Sequence, residues 1–262
     1  MTTSTSVGED CDDREMADQF LVSTEWLAEH LDDPLVRVLD VSGFLDDDRV
    51  NRAHDEYLAE HVPGAVWFDV ASAKGEISDP DSALSWTWPP IEQIEAAMGR
   101  VGVENETTVV LSGRTLDRAY GLGTMWCTRA WWTLHHSGVK CVILQGGLER
   151  WRREGRPTET GPVAVTATTF TGEDRRVDAS ADQDDVRSAL TDEGSCLIDA
   201  LPPESFSGER VNYARPGHIT GAQNVPYQHF IAEATADFIS NDAAREIFDR
   251  TGMLDRERVV LY

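Results

Sequence analysis

Lysine is almost missing from this sequence. Only Lys74 and Lys140 occur, and arginine supplies nearly all of the positive charge. Long apolar runs are missing too: none approaches the ~18 residues of a membrane-spanning helix. The four cysteines, Cys11, Cys127, Cys141 and Cys196, form no CxxC pair and have no accompanying histidine spacing. That argues against a zinc site and leaves no metal expected. The first residues, MTTSTSVGEDCDDREMADQF, carry neither a positive leader nor an apolar core, so they do not read as a secretory signal. A cytoplasmic location with free thiols is the simplest expectation. Residues 1–18 read as a disordered tail, and either Met1 or Met16 suits as the start.

What the sequence has in excess is acid. Asp and Glu number 47 against 23 Lys and Arg in 262 residues, for a net charge of −24. Clusters such as Asp46-Asp47-Asp48, Asp184-Asp185 and Asp192-Glu193, set against so little lysine, suggest a halophilic surface. In molar salt the repulsion among carboxylates is screened within a few ångströms. A phosphate backbone would be repelled, so nucleic acid is excluded as a partner. The apolar share of 40% allows packed cores, and the length allows two domains.

Strands and helices alternate along the chain. Ser23 reads as the N-cap of a helix bearing Trp26, Leu27, His30 and Leu31. Val36 to Val41 is a buried strand ending near Asp40, and a polar, aspartate-rich loop follows it. Pro63-Gly64 marks a turn before a short strand, Ala65 to Phe68. After a long loop, residues 71–90, a helix over 91–100 has Ile91, Ile94, Ala97 and Met98 at helical spacing. Strands at Thr108–Leu111 and Cys141–Leu144 bracket a helix over about 117–136. A last helix runs from Leu148 to Glu154. This order implies a parallel sheet covered on both faces. Residues 158–174 have the composition of a linker. The order then starts again: a helix over 181–190, a strand from Cys196 to Asp199, a helix over 242–250, and a buried strand ending at Tyr262.

Asp40, His61 and Ser112 recur as Asp199, His218 and Tyr262, at offsets of 159, 157 and 150 positions. HVPGA in the first half answers HITGA in the second. Offsets this steady argue for an internal repeat. By this register the second copy has no counterpart of residues 113–155.

Two stretches give the chain a family likeness. Tyr57-x-x-x-His61-Val62-Pro63-Gly64-Ala65-x-x-Phe68 resembles the signature of rhodanese-type sulfurtransferases. So does Leu144-Gln145-Gly146-Gly147-Leu148-x-x-Trp151-x-x-x-Gly155-x-Pro157, the family's end-of-domain pattern. GHITGAQNVP, residues 217–226, is similar to the first, with Thr220 in place of proline. The resemblance implies an α/β fold of two tandem rhodanese-like domains, each a parallel sheet flanked by helices, the second incomplete. Residues 19–157 would be the first, non-catalytic copy. Residues 175–262 would be the second, cut short before its active-site loop. His61, Pro63, Gly64, His218 and Gly221 are read as structural turn residues.

In the resembled family a cysteine directly after the strand matching Val259–Tyr262 is the nucleophile. It takes a sulfane sulfur from thiosulfate or 3-mercaptopyruvate as a persulfide and passes it to cyanide or a thiol, with no cofactor. None of the cysteines here occupies that position, so the resemblance places the nucleophile immediately after Tyr262 and the chain as given is expected to be inactive. The family often has an arginine two residues after the aspartate matching Asp199, where it helps hold the donor. Here that position is Leu201, and Arg210 and Arg215 are the candidate substitutes. The alternative is a non-catalytic, rhodanese-like binding or regulatory protein. A dinucleotide site at Gly121-Leu122-Gly123 lacks the third glycine and falls inside an expected helix.

Overall fold

The computed structural model describes residues 20–43, 49–114, 122–176, 179–211, 214–232, 235 and 237–262. The chain divides into two compact units between Arg176 and Val177.

The first unit is built on five parallel strands in the order β1-β5-β4-β2-β3. They are β1 (Leu21–Val22), β2 (Val36–Asp40), β3 (Val66–Trp67), β4 (Thr108–Ser112) and β5 (Cys141–Leu144). The inner strands VRVLD, TVVLS and CVIL are short aliphatic runs, and all four residues of β5 are buried. Strands covered on both faces select such runs. The helices are α1 (Thr24–His30), α2 (Arg49–Ala59), α3 (Ile91–Arg100), α4 (Leu122–His135) and α5 (Gly147–Arg153). Ser23 caps α1 by accepting the backbone N–H of Trp26 at 3.1 Å. Ile94, Ala97 and Met98 are buried along α3, as their spacing predicts. Val22, Leu27, Val38, Val110, Leu148 and Trp151 pack into one core cluster.

Two features depart from the sequence reading. The aspartate-rich loop was expected to run to the YLAEHVPGA motif, but α2 occupies Arg49–Ala59. Its buried contacts include Ala53 and Tyr57, one turn apart, a stripe too narrow to stand out in the sequence. The stretch 158–174, linker-like in composition, runs as a strap along the first unit. Glu159 bridges His61, Gly161 donates to the carbonyl of Leu58 at 2.8 Å, Thr168 donates to Gly99 at 2.9 Å and Glu173 donates to Ser137 at 3.0 Å. Phe170, within the strap, is buried. The N-terminal tail, Cys11 and the start of the helix expected from residue 117 lie outside the described residues.

The second unit has three parallel strands in the order β7-β6-β8. They are β6 (Ser195–Asp199), β7 (Gln223–Asn224) and β8 (Arg258–Leu261). Its helices are α6 (Gln183–Ala189), α7 (Pro203–Phe206) and α8 (Asn241–Thr251). Asp182 opens α6 with a capping box shared with Asp185, and Ser240 caps α8. Two small apolar clusters hold the unit: one around Ala189, Leu197 and Val260, the other around Cys196, Ile198 and Val225.

Candidate active site

Both units end their paired strands at a carboxylate. In an α/β sheet this is the edge where ligands bind. Asp40 and Asp199 are each about 98–99% buried at the ends of β2 and β6. The next residue binds the neighbouring strand's end: Val41 donates to the carbonyl of Ser112 at 2.8 Å, and Ala200 donates to that of Tyr262 at 3.2 Å. On the other side Phe68 donates to Asp40 and Val225 to Asp199, both at 2.9 Å. Leu39 pairs with Leu111 as Ile198 pairs with Leu261. The order β8-β6-β7 of the second sheet thus matches β4-β2-β3 of the first, with the same bonds at the strand ends.

The two motif turns also correspond. Ala65 donates to the carbonyl of Val62 at 3.0 Å, and Ala222 donates to that of Ile219 at 2.9 Å. Gly64 and Gly221 sit at φ +73° and +92°, a region open to glycine but strained for other residues. The histidines differ in setting. His61 is fully buried, stacks on Tyr57 at 4.4 Å, and places its ring nitrogens 3.0 Å from the Val62 carbonyl and 2.9 Å from that of Gly161. His218 is exposed; it stacks on Phe206 at 3.6 Å with Nδ1 2.8 Å from the Phe206 carbonyl. Pro63 lies in the turn between His61 and Gly64. Trp151, fully buried, donates its indole N–H to the Pro157 carbonyl at 2.6 Å and so ties α5 to the chain that leaves it.

In the first unit the loop after β4 is used structurally. The Arg114 backbone N–H donates to Ser42 Oγ at 3.0 Å. Its guanidinium donates to the carbonyls of Glu56 and Glu60 at 2.7 and 2.9 Å and lies 3.1 Å from the Glu56 carboxylate. A cation at the carboxyl end of a helix is favourable there, and it is not free to hold a ligand.

In the second unit Tyr262 takes the place of Ser112. Its N–H donates to the Ile198 carbonyl at 3.0 Å, and its hydroxyl accepts the N–H of Ile219, in the motif turn, at 2.8 Å. Asp199 Oδ1 accepts the Leu201 N–H at 2.8 Å, and the Asn224 side-chain amide donates to the Asp199 and Leu201 carbonyls at 3.1 and 2.8 Å. Leu201 therefore holds its loop through its backbone. Of the two candidate arginines, Arg210 is paired with Glu204 at 3.1 Å, beside Tyr227, whose phenol burial pushes up. Arg215 is exposed and makes no ion pair among the described residues. The structure does not bring these two arginines into contact. Sequence reading missed Glu204 and Asn224. Asn224 was within reach, because it lies inside the second motif, residues 217–226; Glu204 carries no local signal.

The described thiols are poor nucleophiles. Cys127, Cys141 and Cys196 are free and buried. Burial pushes each of them up, with nearby Asp40 and Glu149 adding to the effect at Cys127. Cys141 Sγ lies 3.7 Å from the Trp131 carbonyl. No cluster of three or more metal-binding side chains occurs among the described residues. No described helix is long and apolar enough to cross a membrane.

This arrangement, parallel strands flanked by helices with a turn motif feeding the sheet's carboxyl edge, defines an α/β fold with its ligand edge at the strands' carboxyl ends. Comparison with known proteins supplies the family. The model of the rhodanese-like domain matches residues 23–154. The 3-mercaptopyruvate sulfurtransferase of Escherichia coli is 33% identical over 224 residues, which cover 83% of this chain and 75% of the relative. The thiosulfate sulfurtransferase of Gallus gallus is 30% identical over 224 residues, covering 82% and 72%. A crystal structure of an Escherichia coli 3-mercaptopyruvate sulfotransferase with the rhodanese fold superposes with a TM-score of 0.78 at 31% identity, covering 93% of this chain and 87% of that one. The chain belongs to the rhodanese-type sulfurtransferases.

Proposed function

We propose that the protein moves a sulfane sulfur from thiosulfate or 3-mercaptopyruvate to cyanide or a thiol through a cysteine persulfide, and that the two units arose as tandem copies. The observation that carries this reading is the shared backbone register, in which Tyr262 stands where Ser112 stands in the first unit. In this reading a cysteine following Tyr262 enters a loop at the sheet's carboxyl edge, where backbone N–H groups would stabilise its thiolate. The thiolate attacks the outer sulfur of thiosulfate, the S–S bond breaks and sulfite leaves; with 3-mercaptopyruvate it attacks the substrate's sulfur, the C–S bond breaks, and pyruvate leaves as its enolate and is protonated. The acceptor then attacks the persulfide's outer sulfur and the thiolate is restored. Arg210 and Arg215, in the segment after Leu201, are the candidate cations for the anionic donor. His61, Pro63, Gly64, His218 and Gly221 shape the turns.

A second reading, a non-catalytic binding protein of the same fold, draws support from Leu201 and from the Arg210–Glu204 pair. Both leave the donor position without a committed cation. The test is sulfur transfer from each donor to cyanide by protein expressed from the intact gene. Thiocyanate formation well above the uncatalysed rate supports the first reading, and its absence with both donors supports the second.

A further inference from the structure

A cavity of about 350 Å³ opens on the first unit between α4 and the long loop 71–90. Three indoles, Trp86, Trp88 and Trp132, line it with Met125, Thr87 and Arg129. None of its lining residues is acidic, although acids outnumber basic residues two to one in the chain.

Arg129 is the cavity's one charge. Its Nη1 donates to the Trp86 carbonyl at 3.2 Å, and Nη2 donates to the Ile77 carbonyl and Ser78 Oγ, both at 3.1 Å. Every one of these acceptors is neutral, and Arg129 makes no ion pair among the described residues. Its Nε is buried without a partner, and so is Thr87 Oγ1. A cation shielded from water and lacking an anion is a costly arrangement, and burial pushes this guanidinium down to about 10.

The backbone beside it is strained. Trp86 is the one described non-glycine residue at positive φ, +59°. It is held there by its carbonyl's bond to Arg129 and by its own indole N–H, which donates to Ala71 at 3.0 Å. Strain of this kind concentrates where a ligand is clamped. Trp86 and Trp132 remain 37% and 45% exposed, so wide aromatic faces stand open at the mouth.

We infer that this cavity binds a flat aromatic monoanion, an aryl or indolyl carboxylate, its ring against the indoles and its carboxylate toward Arg129 and Thr87. The volume is at the small end of ligand pockets, which limits the ligand to one or two rings. Aromatic faces and a shielded cation suit such a molecule on both counts. The sulfur donors have no aromatic body, so this site is separate from sulfur transfer and does not rest on it.

The experiment is calorimetric titration of the 262-residue chain with 2-naphthoate and, in parallel, with the neutral 2-naphthylmethanol. The expected result is one saturable site with Kd below roughly 1 mM for the acid and binding at least about tenfold weaker for the alcohol. Trp132→Ala, at an exposed position outside the Arg129 clamp, is expected to weaken the acid about tenfold or more without changing the melting temperature. Arg129→Gln is expected to abolish the preference for acid over alcohol. If that variant melts early because the loop is released, Trp132→Ala and Thr87→Val carry the test. Equal affinity for acid and alcohol, full affinity in Trp132→Ala, or no saturable heat would overturn the inference.

Discussion

Asp40 accepts the backbone N–H of Ser42 at 3.0 Å from a position with almost no contact with water. Burial pushes the Asp40 carboxyl up, only partly offset by its bonds to Ser42 and by the charges of Arg114 and His61. A carboxyl whose folded pKa is raised binds its proton more tightly when folded. Its ionisation therefore costs stability as pH rises from the unfolded value through the folded one. Asn at this position keeps the Oδ1 acceptor and removes the charge. The stability of the wild type relative to Asp40→Asn is expected to be highest in acid and to fall as pH rises toward neutrality. Urea unfolding of both proteins at several pH values reads this difference, and a difference that does not change with pH would count against it.

The two units should not unfold together. Helix α8 has no fully buried residue, and the second unit's clusters hold six buried residues in all, three in each. The first unit has five strands and a broad core. All eight tryptophans lie in the first unit, so indole fluorescence follows that unit alone while circular dichroism at 222 nm follows both. The ellipticity is expected to begin falling at lower urea than the fluorescence, because less buried apolar surface supports the second unit. Coincident transitions would show a single cooperative block instead.

His61 joins residues a hundred positions apart by reaching the Gly161 carbonyl while the Glu159 side chain accepts the Gly64 N–H at 2.8 Å. His61→Ala leaves buried carbonyls without donors and a void beneath Tyr57. A loss of about 2–4 kcal/mol is expected. Hydrogen exchange should speed at the Glu159 and Gly161 amides before it speeds in β4. Unchanged exchange along the strap would mean that the ring is not what holds it.

Much of the fold can be read from local chemistry. Ile94, Ala97 and Met98 announce α3 by spacing, and the aliphatic runs of β2, β4 and β5 announce the sheet. The recurrence of aspartate, histidine and strand end suggests where β6 and β8 fall, and the end bonds at Ala200 and Val225 resemble those at Val41 and Phe68. What stays hidden is held by groups that carry no pattern. The strap bonds mainly through backbone atoms, which a threonine-rich sequence does not reveal. Helix α2 rests on Ala53 and Tyr57. The Arg210–Glu204 pair and the unpartnered Nε of Arg129 exist only once the chain is folded, so the candidate site was legible in its frame and not in its charges.

The most direct test asks which sulfur reacts. The 262-residue chain, folded at neutral pH, is incubated with 3-mercaptopyruvate, alkylated, digested and examined by mass spectrometry for a persulfide on each cysteine. Cys127, Cys141 and Cys196 are expected to remain unmodified, because burial holds their thiols protonated and out of reach; Cys11 is expected to remain so as well, and the chain to form no thiocyanate from cyanide. A persulfide on any of the four that passes its sulfur to cyanide would contradict the proposal that none of these cysteines is the reactive thiol.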